Sequence, residues 1–358
     1  MDILLNPGPV NLSERVRQAL LKPDLCHREI EFLKLQNGIR NKLLEVYGLP
    51  EDKWAAVLIT GSGTSAMEAM LISMVPAAGR VLIIENGVYG ERLSRIAEIY
   101  NIDYRTLHYD WGEEIQPRDV ENSLANDISH VALVHHETTT GRLNELDSIA
   151  AVCQSANVPI LLDGVSSFGA EEMRFSKWDL HACAATANKC LHGIPGTSFV
   201  ISRRDALQST TGTQRSLYLD LHTYAEHQDK GGTPFTQSVQ SFYALDEALS
   251  ELREEGGWTA RRDHYRRRMA LVRQGLENIG ISMLLQENAS SCVLSSFHLP
   301  ENMDYETLHD GLKNRGFVIY AGQGGLLKSI FRVSLMGAIS DSDIQRFLVA
   351  VEEIIRDA

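Results

Sequence analysis

The chain has 358 residues, 44% of them hydrophobic and 23% charged, a globular balance that excludes a disordered polymer. Its formal net charge of −13 disfavours a nucleic-acid surface, because backbone affinity rests on clustered lysine and arginine. No apolar run reaches the roughly 20 residues needed to span a bilayer, and MDILLNPGPVNLSERV lacks the order of a secretory signal, so a cytoplasmic protein with no membrane partner is expected.

In chain order, short apolar runs recur with helical spacing between them. The runs are AAVLIT (55–60), RVLIIE (80–85), HVALVHH (130–136), VPILLD (158–163), ACAATA (182–187) and SFVIS (198–202). Runs this short, lacking strict alternation, fit strands buried on both faces of a mostly parallel sheet. Residues 65–74, 92–100 and 147–156 have the apolar spacing of crossover helices, which completes an α/β lobe. Beyond residue 205 the rhythm changes. Long helices are predicted over 239–255, with Gly256-Gly257 as a stop, and over 259–279. CVLSSFHL, a helix at 305–315, GFVIYAG, SIFRVSL and a last helix at 341–355 read as a smaller α+β lobe. The division expected is an N-terminal arm (1–14), a large lobe (15–257) and a small lobe (258–358). The arginines of RRDHYRRRM (261–269) are expected on a solvated, salt-bridged helix face. Five scattered cysteines with no CxxC spacing suggest neither disulfides nor zinc. The pair His135-His136 lacks a second cluster at ligand spacing, so no metal is expected.

Three constellations stand at the ends of predicted strands, where open α/β sheets bind ligands. Thr60-Gly61-Ser62-Gly63-Thr64-Ser65 precedes a helix, and small residues at a helix start let free amides approach a phosphate. It matches neither GxxxxGK[ST] nor GxGxxG. Asp163 ends VPILLD and is followed by Gly164-Val165-Ser166-Ser167; alone, such a carboxylate is commonly a turn former. Lys189 follows a further buried strand in a tight apolar setting, ahead of HGIPGTS, where desolvation favours Schiff-base chemistry. A phosphate cradle, an acid and a lysine are what pyridoxal phosphate needs: an anion site, a proton on the ring nitrogen and an amine for its carbonyl.

At these residues the chain resembles the fold-type-I aminotransferases of the alanine–glyoxylate and serine–pyruvate group, and within it the 2-aminoethylphosphonate–pyruvate transaminases. The segments that carry the resemblance are LLNPGPV, GSGTSAMEA, NGVYGERL, VHHETTTG, LLDGVSSFG, TANKCLHGIPG, SLYLDL, TPFTQSVQSFYAL and FRVSLMG, which cover nearly the whole length. The resemblance implies a large lobe with a mostly parallel seven-stranded sheet, a small C-terminal lobe and pyridoxal 5'-phosphate as cofactor. It assigns Lys189 to Schiff-base formation and proton transfer, and Asp163 to the pyridinium nitrogen. Tyr89 would stack on one face of the ring and Val165 would cover the other. Ser62, Gly63, Thr64 and Asn188 would hold the phosphate, completed by Thr236 of a second copy in a homodimer. Thr138 would approach the ring hydroxyl or the substrate, Gly8 and Pro9 would line the substrate pocket, and Arg332 would clamp a carboxylate.

The reaction implied is amino transfer from 2-aminoethylphosphonate to pyruvate, giving phosphonoacetaldehyde and alanine. DLCHREIEF (24–32) and VSLMGAIS after Arg332 depart from the phosphonate pattern, which leaves His27 and Arg28 as further candidates for a phosphonate. An alanine–glyoxylate or serine–pyruvate transaminase is the alternative. A lyase or desulfurase would require a reactive Cys190, and a non-enzymatic module would be expected to lack the lysine.

Overall fold

A computed structural model describes residues 2–210 and 212–357. Seven strands form the main sheet: β1 (Trp54–Gly61), β2 (Arg80–Glu85), β3 (Asp103–His108), β4 (Ile128–Val134), β5 (Ile160–Asp163), β6 (Leu180–Thr186) and β7 (Gly196–Arg203). Their order is β1-β7-β6-β5-β4-β2-β3, with β7 antiparallel to both neighbours and the other pairs parallel. Alternation along the strands divides the core. Ala56, Leu58, Leu82 and Ile84 face one apolar cluster, while Val57, Ile59, Val81 and Ile83 face another. Helices Ile30–Glu45, Asp147–Ser155 and Val239–Glu254 cover the first face, and Gly63–Met74 and Val88–Ile99 the second. Each fully buried aliphatic side chain contributes roughly 1.5–3 kcal/mol, so strands apolar on both faces are held in the middle of the sheet.

Six of the seven strands correspond to the apolar runs. The seventh, β3, has no such run because it lies at the sheet edge and keeps exposed polar positions such as Asp103 and Arg105. Helix Ile30–Glu45 also escapes the apolar-run reading, with Lys34, Asn37 and Asn41 interspersed among Phe32, Ile39, Leu43 and Leu44. Helix Gly63–Met74 begins two residues before the expected start, directly after the glycine-rich turn.

In the C-terminal part, Leu294–His298, Ile330–Ser334 and Tyr320–Ala321 form an antiparallel sheet with Ile330–Ser334 in the middle. Helices Gly257–Asn278, Tyr305–Lys313 and Asp341–Asp357 pack around Phe297, Phe331, Leu308 and Phe347. The chain's start joins this core. Ile3–Leu4 pairs in parallel with Phe317–Val318, and Ile3, Leu5 and Val10 are buried there. The arginine run departs from expectation at one position. Arg268 does pair at the surface with Asp341, but Arg261 is 2% exposed, held by Glu255 and the carbonyl of Cys190. Helical spacing turns Arg261 inward because the run wraps more than one face.

Among the described residues, no helix is long and apolar enough to cross a membrane.

Candidate active site

The C-terminal ends of the central strands converge on one centre. β1 turns through Gly61 and Ser62 into helix Gly63–Met74, and Ser62 does not cap that helix with its side chain. The first amides are therefore open to an anion. Gly63 leaves no room for a side chain, since an added Cβ would lie 2.8 Å from Val165 Cγ1. The glycine thus lets the helix start press against the segment that follows β5.

At the end of β5, Asp163 is buried and its Oδ1 accepts from Val165 N at 2.9 Å. Burial pushes its carboxyl up to about 6, opposed by that amide and by the charges of Lys189 and Arg92. β6 delivers Lys189 by way of a turn closed by Gly193 N to Ala187 O at 2.8 Å and His192 N to Lys189 O at 2.9 Å. Lys189 is 8% exposed and, among the described residues, forms no ion pair; its Nζ stands 5.4 Å from the Tyr89 ring centroid. The lysine's charge draws the Tyr89 phenol below its ordinary range. Asn188 is oriented through its Oδ1, which accepts from Thr186 Oγ1 at 2.8 Å. Gly8 has a φ of +114°, and a Cβ there would meet Asn188 O at 3.1 Å and Lys189 Cγ at 3.3 Å. The Gly8-Pro9 turn is thereby laid directly on the lysine segment.

The turn after β4 joins this centre to the C-terminal sheet. Arg332, on strand Ile330–Ser334, donates from Nη1 to Thr138 O at 2.8 Å and from Nε to Ala321 O at 2.9 Å. It is 4% exposed, and among the described residues no carboxylate pairs with it. Loss of solvation lowers its guanidinium from the ordinary range, the direction expected for a cation buried without a counter-charge. The Thr138 hydroxyl is buried beside the Tyr89 phenol and, after Lys189, helps to draw that phenol down.

Of the residues singled out from the sequence, Ser62, Gly63, Thr64, Tyr89, Thr138, Asp163, Val165, Asn188, Lys189, Gly8, Pro9 and Arg332 lie on these strand ends and the segments packed against them. Thr236 stands apart, exposed on a loop whose neighbours Gln237 and Ser238 both bond to Thr60 Oγ1. His27 is half-buried and Arg28 exposed in a turn before helix Ile30–Glu45, with no bond to the centre. His135 and His136 are buried; burial lowers them to about 3 and about 4, and each bonds to Ser167 or Ser166 through Nδ1. Cys190 is buried and its thiol is pushed up to about 12 by desolvation, so it lacks the thiolate a desulfurase requires.

Two residues of the centre escaped the sequence reading. The Glu137 carboxylate accepts from the amides of Tyr89 and Gly90 at 3.1 and 3.2 Å and from Thr139 Oγ1 at 2.6 Å, fixing the helix start that carries Tyr89. Burial raises its carboxyl above the ordinary range. Arg92 places its guanidinium carbon 4.6 Å from the Tyr89 centroid and donates to Thr64 Oγ1 at 3.2 Å. Both lie inside the segments ETTTG and NGVYGERL, where attention went to the neighbouring Thr138 and Tyr89.

A family model described as Aminotransferase class-V matches residues 18–347. A protein named 2-aminoethylphosphonate–pyruvate transaminase from Vibrio vulnificus is 36% identical, covering 98% of this chain and 97% of its own. One of the same name from Bacteroides fragilis is 34% identical, with 98% of each chain covered. Among solved structures, an aspartate aminotransferase from Thermus thermophilus superposes with a TM-score of 0.91 at 28% identity over 99% of both chains.

Proposed function

From the premise that this chain belongs to the class-V aminotransferase family, a pyridoxal-phosphate-dependent transaminase family, we propose that it moves the amino group of 2-aminoethylphosphonate to pyruvate. The observation that carries the substrate side of this reading is Arg332, a buried guanidinium that donates to the Thr138 and Ala321 carbonyls and, among the described residues, has no carboxylate partner. Two anionic substrates that arrive in turn, a phosphonate and a carboxylate, would each supply the missing counter-charge. The names of the full-length relatives from Vibrio vulnificus and Bacteroides fragilis support the choice of donor.

The residues present fit pyridoxal 5'-phosphate. An uncapped helix start, a glycine with no room for a side chain, a buried acid and a buried amine lie where a phosphate, a ring and a carbonyl would need them. Ser62, Gly63, Thr64 and Asn188 would hold the phosphate, Tyr89 and Val165 the two ring faces, and Thr138 the ring hydroxyl. When bound, the cofactor supplies a carbonyl that receives the amino group and a ring that accepts electrons. Asp163 keeps a proton on the ring nitrogen, and contact with that cation draws its carboxyl back down from about 6. Lys189 Nζ would take the proton from the donor carbon and return it from the same face, at the other end of the conjugated system that the cofactor supplies. Arg332 fixes the substrate's anionic end, aiming the reacting carbon at Lys189. The Gly8-Pro9 turn, seated on Asn188 and Lys189, narrows the entrance and helps exclude water.

The proposal extends to a cytoplasmic homodimer with shared sites. Support comes from exposed Leu217 (76%) and Tyr218 (39%), whose hydroxyl bonds to Thr60 O, beside the loop that exposes Thr236. Five free cysteines suit a reducing compartment. We also carry forward the division at 1–14, 15–257 and 258–358, supported by distinct apolar clusters and by the arm's burial in the C-terminal one.

The test mixes purified holoenzyme with one amine at a time and follows loss of the cofactor's visible absorbance. 2-Aminoethylphosphonate is expected to react much faster than L-serine, β-alanine or taurine, with pyruvate restoring the spectrum. Preference for L-serine or L-alanine, with glyoxylate as acceptor, would replace this reading with an alanine–glyoxylate or serine–pyruvate transaminase.

A further inference from the structure

We propose that Arg92 is a positioning residue for the cofactor's phosphate, a counter-charge set behind Thr64 at the uncapped start of helix Gly63–Met74. The inference rests on the pyridoxal-phosphate assignment and concerns a side chain that the motif comparison leaves without a role.

Arg92 and Tyr89 are three residues apart on helix Val88–Ile99, so their side chains share a face. The guanidinium lies against the Tyr89 ring at 4.6 Å and reaches Thr64 Oγ1 at 3.2 Å. It is half-buried, and among the described residues it has no carboxylate partner. Its neighbour on the same helix behaves differently: Arg95 is exposed and pairs with Glu98. Held by a ring and a hydroxyl, with no ion pair among the described residues, Arg92 carries a charge that already reaches Asp163 and that no carboxylate neutralises at contact distance.

Charge balance says what would neutralise that charge. The phosphate monoester is largely dianionic near neutral pH. The groups of this chain at the phosphate site are neutral: the Ser62 and Thr64 hydroxyls, the Asn188 amide and backbone N–H groups. The helix start contributes only about half a positive charge. Lys189 is committed to the carbonyl end. Arg92 supplies a full positive charge at hydrogen-bond distance from a phosphate-holding residue. Because Thr64 Oγ1 accepts from Arg92, its own hydroxyl proton is directed away from Arg92 and is free to donate to a phosphate oxygen. One side chain thus orients the donor and neutralises the acceptor.

The experiment titrates cofactor-free full-length protein with pyridoxal 5'-phosphate and, separately, with pyridoxal, reading binding by quenching of protein fluorescence. Arg92→Met is expected to weaken pyridoxal 5'-phosphate by about tenfold to a hundredfold, the range for loss of a charge-assisted contact, and pyridoxal by less than about twofold. Arg92→Lys keeps the charge and should preserve most of the preference for the phosphorylated form. Arg92→Gln keeps a donor toward Thr64 without the charge, should resemble Arg92→Met, and serves if the methionine variant does not fold. Thr64→Val should cost less in the Arg92→Met background than in wild type, since the two residues act as a unit. Equal weakening of both ligands would assign Arg92 to support of Tyr89 alone and overturn the proposal. An unchanged affinity for pyridoxal 5'-phosphate would overturn it as well. Either result leaves the cofactor assignment standing, because both titrations still report binding at the same centre.

Discussion

Arg261 and Arg332 are buried to nearly the same degree, at 2% and 4% exposure, yet their surroundings have little in common. Arg261 meets Glu255 through Nε and Nη2 at 2.8 and 2.7 Å, and its Nη1 donates to Cys190 O at 2.9 Å. Its charge is neutralised by a fork matched to a carboxylate, and it ties helix Gly257–Asn278 to the residue after Lys189. Arg332 meets backbone carbonyls of Thr138 and Ala321, which satisfy donors without cancelling charge. Desolvation at Arg332 outweighs the distant influence of Glu137, and under the proposed function an arriving substrate anion would supply the missing partner. Burial alone does not separate a structural arginine from a functional one. The proposed function separates them by the acid partner, which among the described residues Arg92 and Lys189 also lack as an ion pair.

The sharpest way to break the contrast is at Lys189. Lys189→Ala should lower turnover by about a thousandfold or more, because both the amine that joins the cofactor and the group that moves the proton are lost. Borohydride reduction of wild type followed by peptide mapping should place the cofactor label on Lys189. A label on any other residue would end the assignment of this centre.

Next comes a paired measurement on the two arginines. Arg332→Met should reduce kcat/KM for both donor and acceptor by about a hundredfold, with a melting temperature equal to wild type or higher, since an uncompensated buried cation is removed. Arg261→Met should do the reverse. It leaves Glu255 without its partner and should destabilise the fold by roughly 1–3 kcal/mol, a range discounted for Glu255's 35% side-chain exposure, with kcat/KM within a few-fold of wild type. If both variants lose stability and keep activity, the distinction by missing acid partner fails.

How much of this was legible in the sequence depends on whether the signal was local. β5 and β6 are continuous apolar runs because both their faces are covered, and Asp163 and Lys189 sit at their ends, where the apolar run stops. β3 carries no such signal, because an edge strand keeps polar positions. Glu137 and Arg92 were hidden for a different reason. Their partners, the Tyr89 amide and Thr64 hydroxyl, are 48 and 28 residues away in the chain, and only folding reveals that one carboxylate is fully used and one guanidinium is not. Arg261 was misplaced because a run of arginines looks like a surface until helical phase sends one of them inward.

A smaller effect tests the acid. Burial raises the Asp163 carboxyl to about 6 in the absence of cofactor, above the roughly 3.9 of an unfolded aspartate. A folded value raised in this way means the native state holds the proton more tightly. Its contribution to stability is complete below about pH 4 and is lost as pH rises through about 6. Asp163→Asn does not titrate, so in urea unfolding of cofactor-free protein the variant should gain on wild type by about 2–3 kcal/mol between pH 4 and pH 7. The same variant should lose most turnover, since a neutral ring nitrogen is a poor electron sink. A stability difference that stays constant across this range would show that Asp163 is ionised in the native protein throughout.

The smallest expected effect concerns Thr236, which lies outside the comparison of buried cations because it is a neutral, exposed side chain. Gln237 and Ser238 hold its loop against Thr60, which directly precedes the Gly61-Ser62 turn, and Leu217 and Tyr218 are exposed beside it, so the proposed dimer would share this hydroxyl between copies. Loss of one neutral hydrogen bond costs about 0.5–1.5 kcal/mol, so Thr236→Val should weaken cofactor binding by only about two- to tenfold. Activity alone would not separate a shared site from a local disturbance of the loop. Mixed dimers do. In a heterodimer of Lys189→Ala with Thr236→Val, sharing places both lesions in one site and leaves the other intact, so that site binds cofactor with wild-type affinity. If Thr236 serves its own chain, the site that retains Lys189 carries the Thr236 lesion and binds with the weakened affinity of the single variant. Measuring the affinity of the lysine-bearing site in purified heterodimer thus decides between a shared and a private phosphate site even though the underlying effect is small.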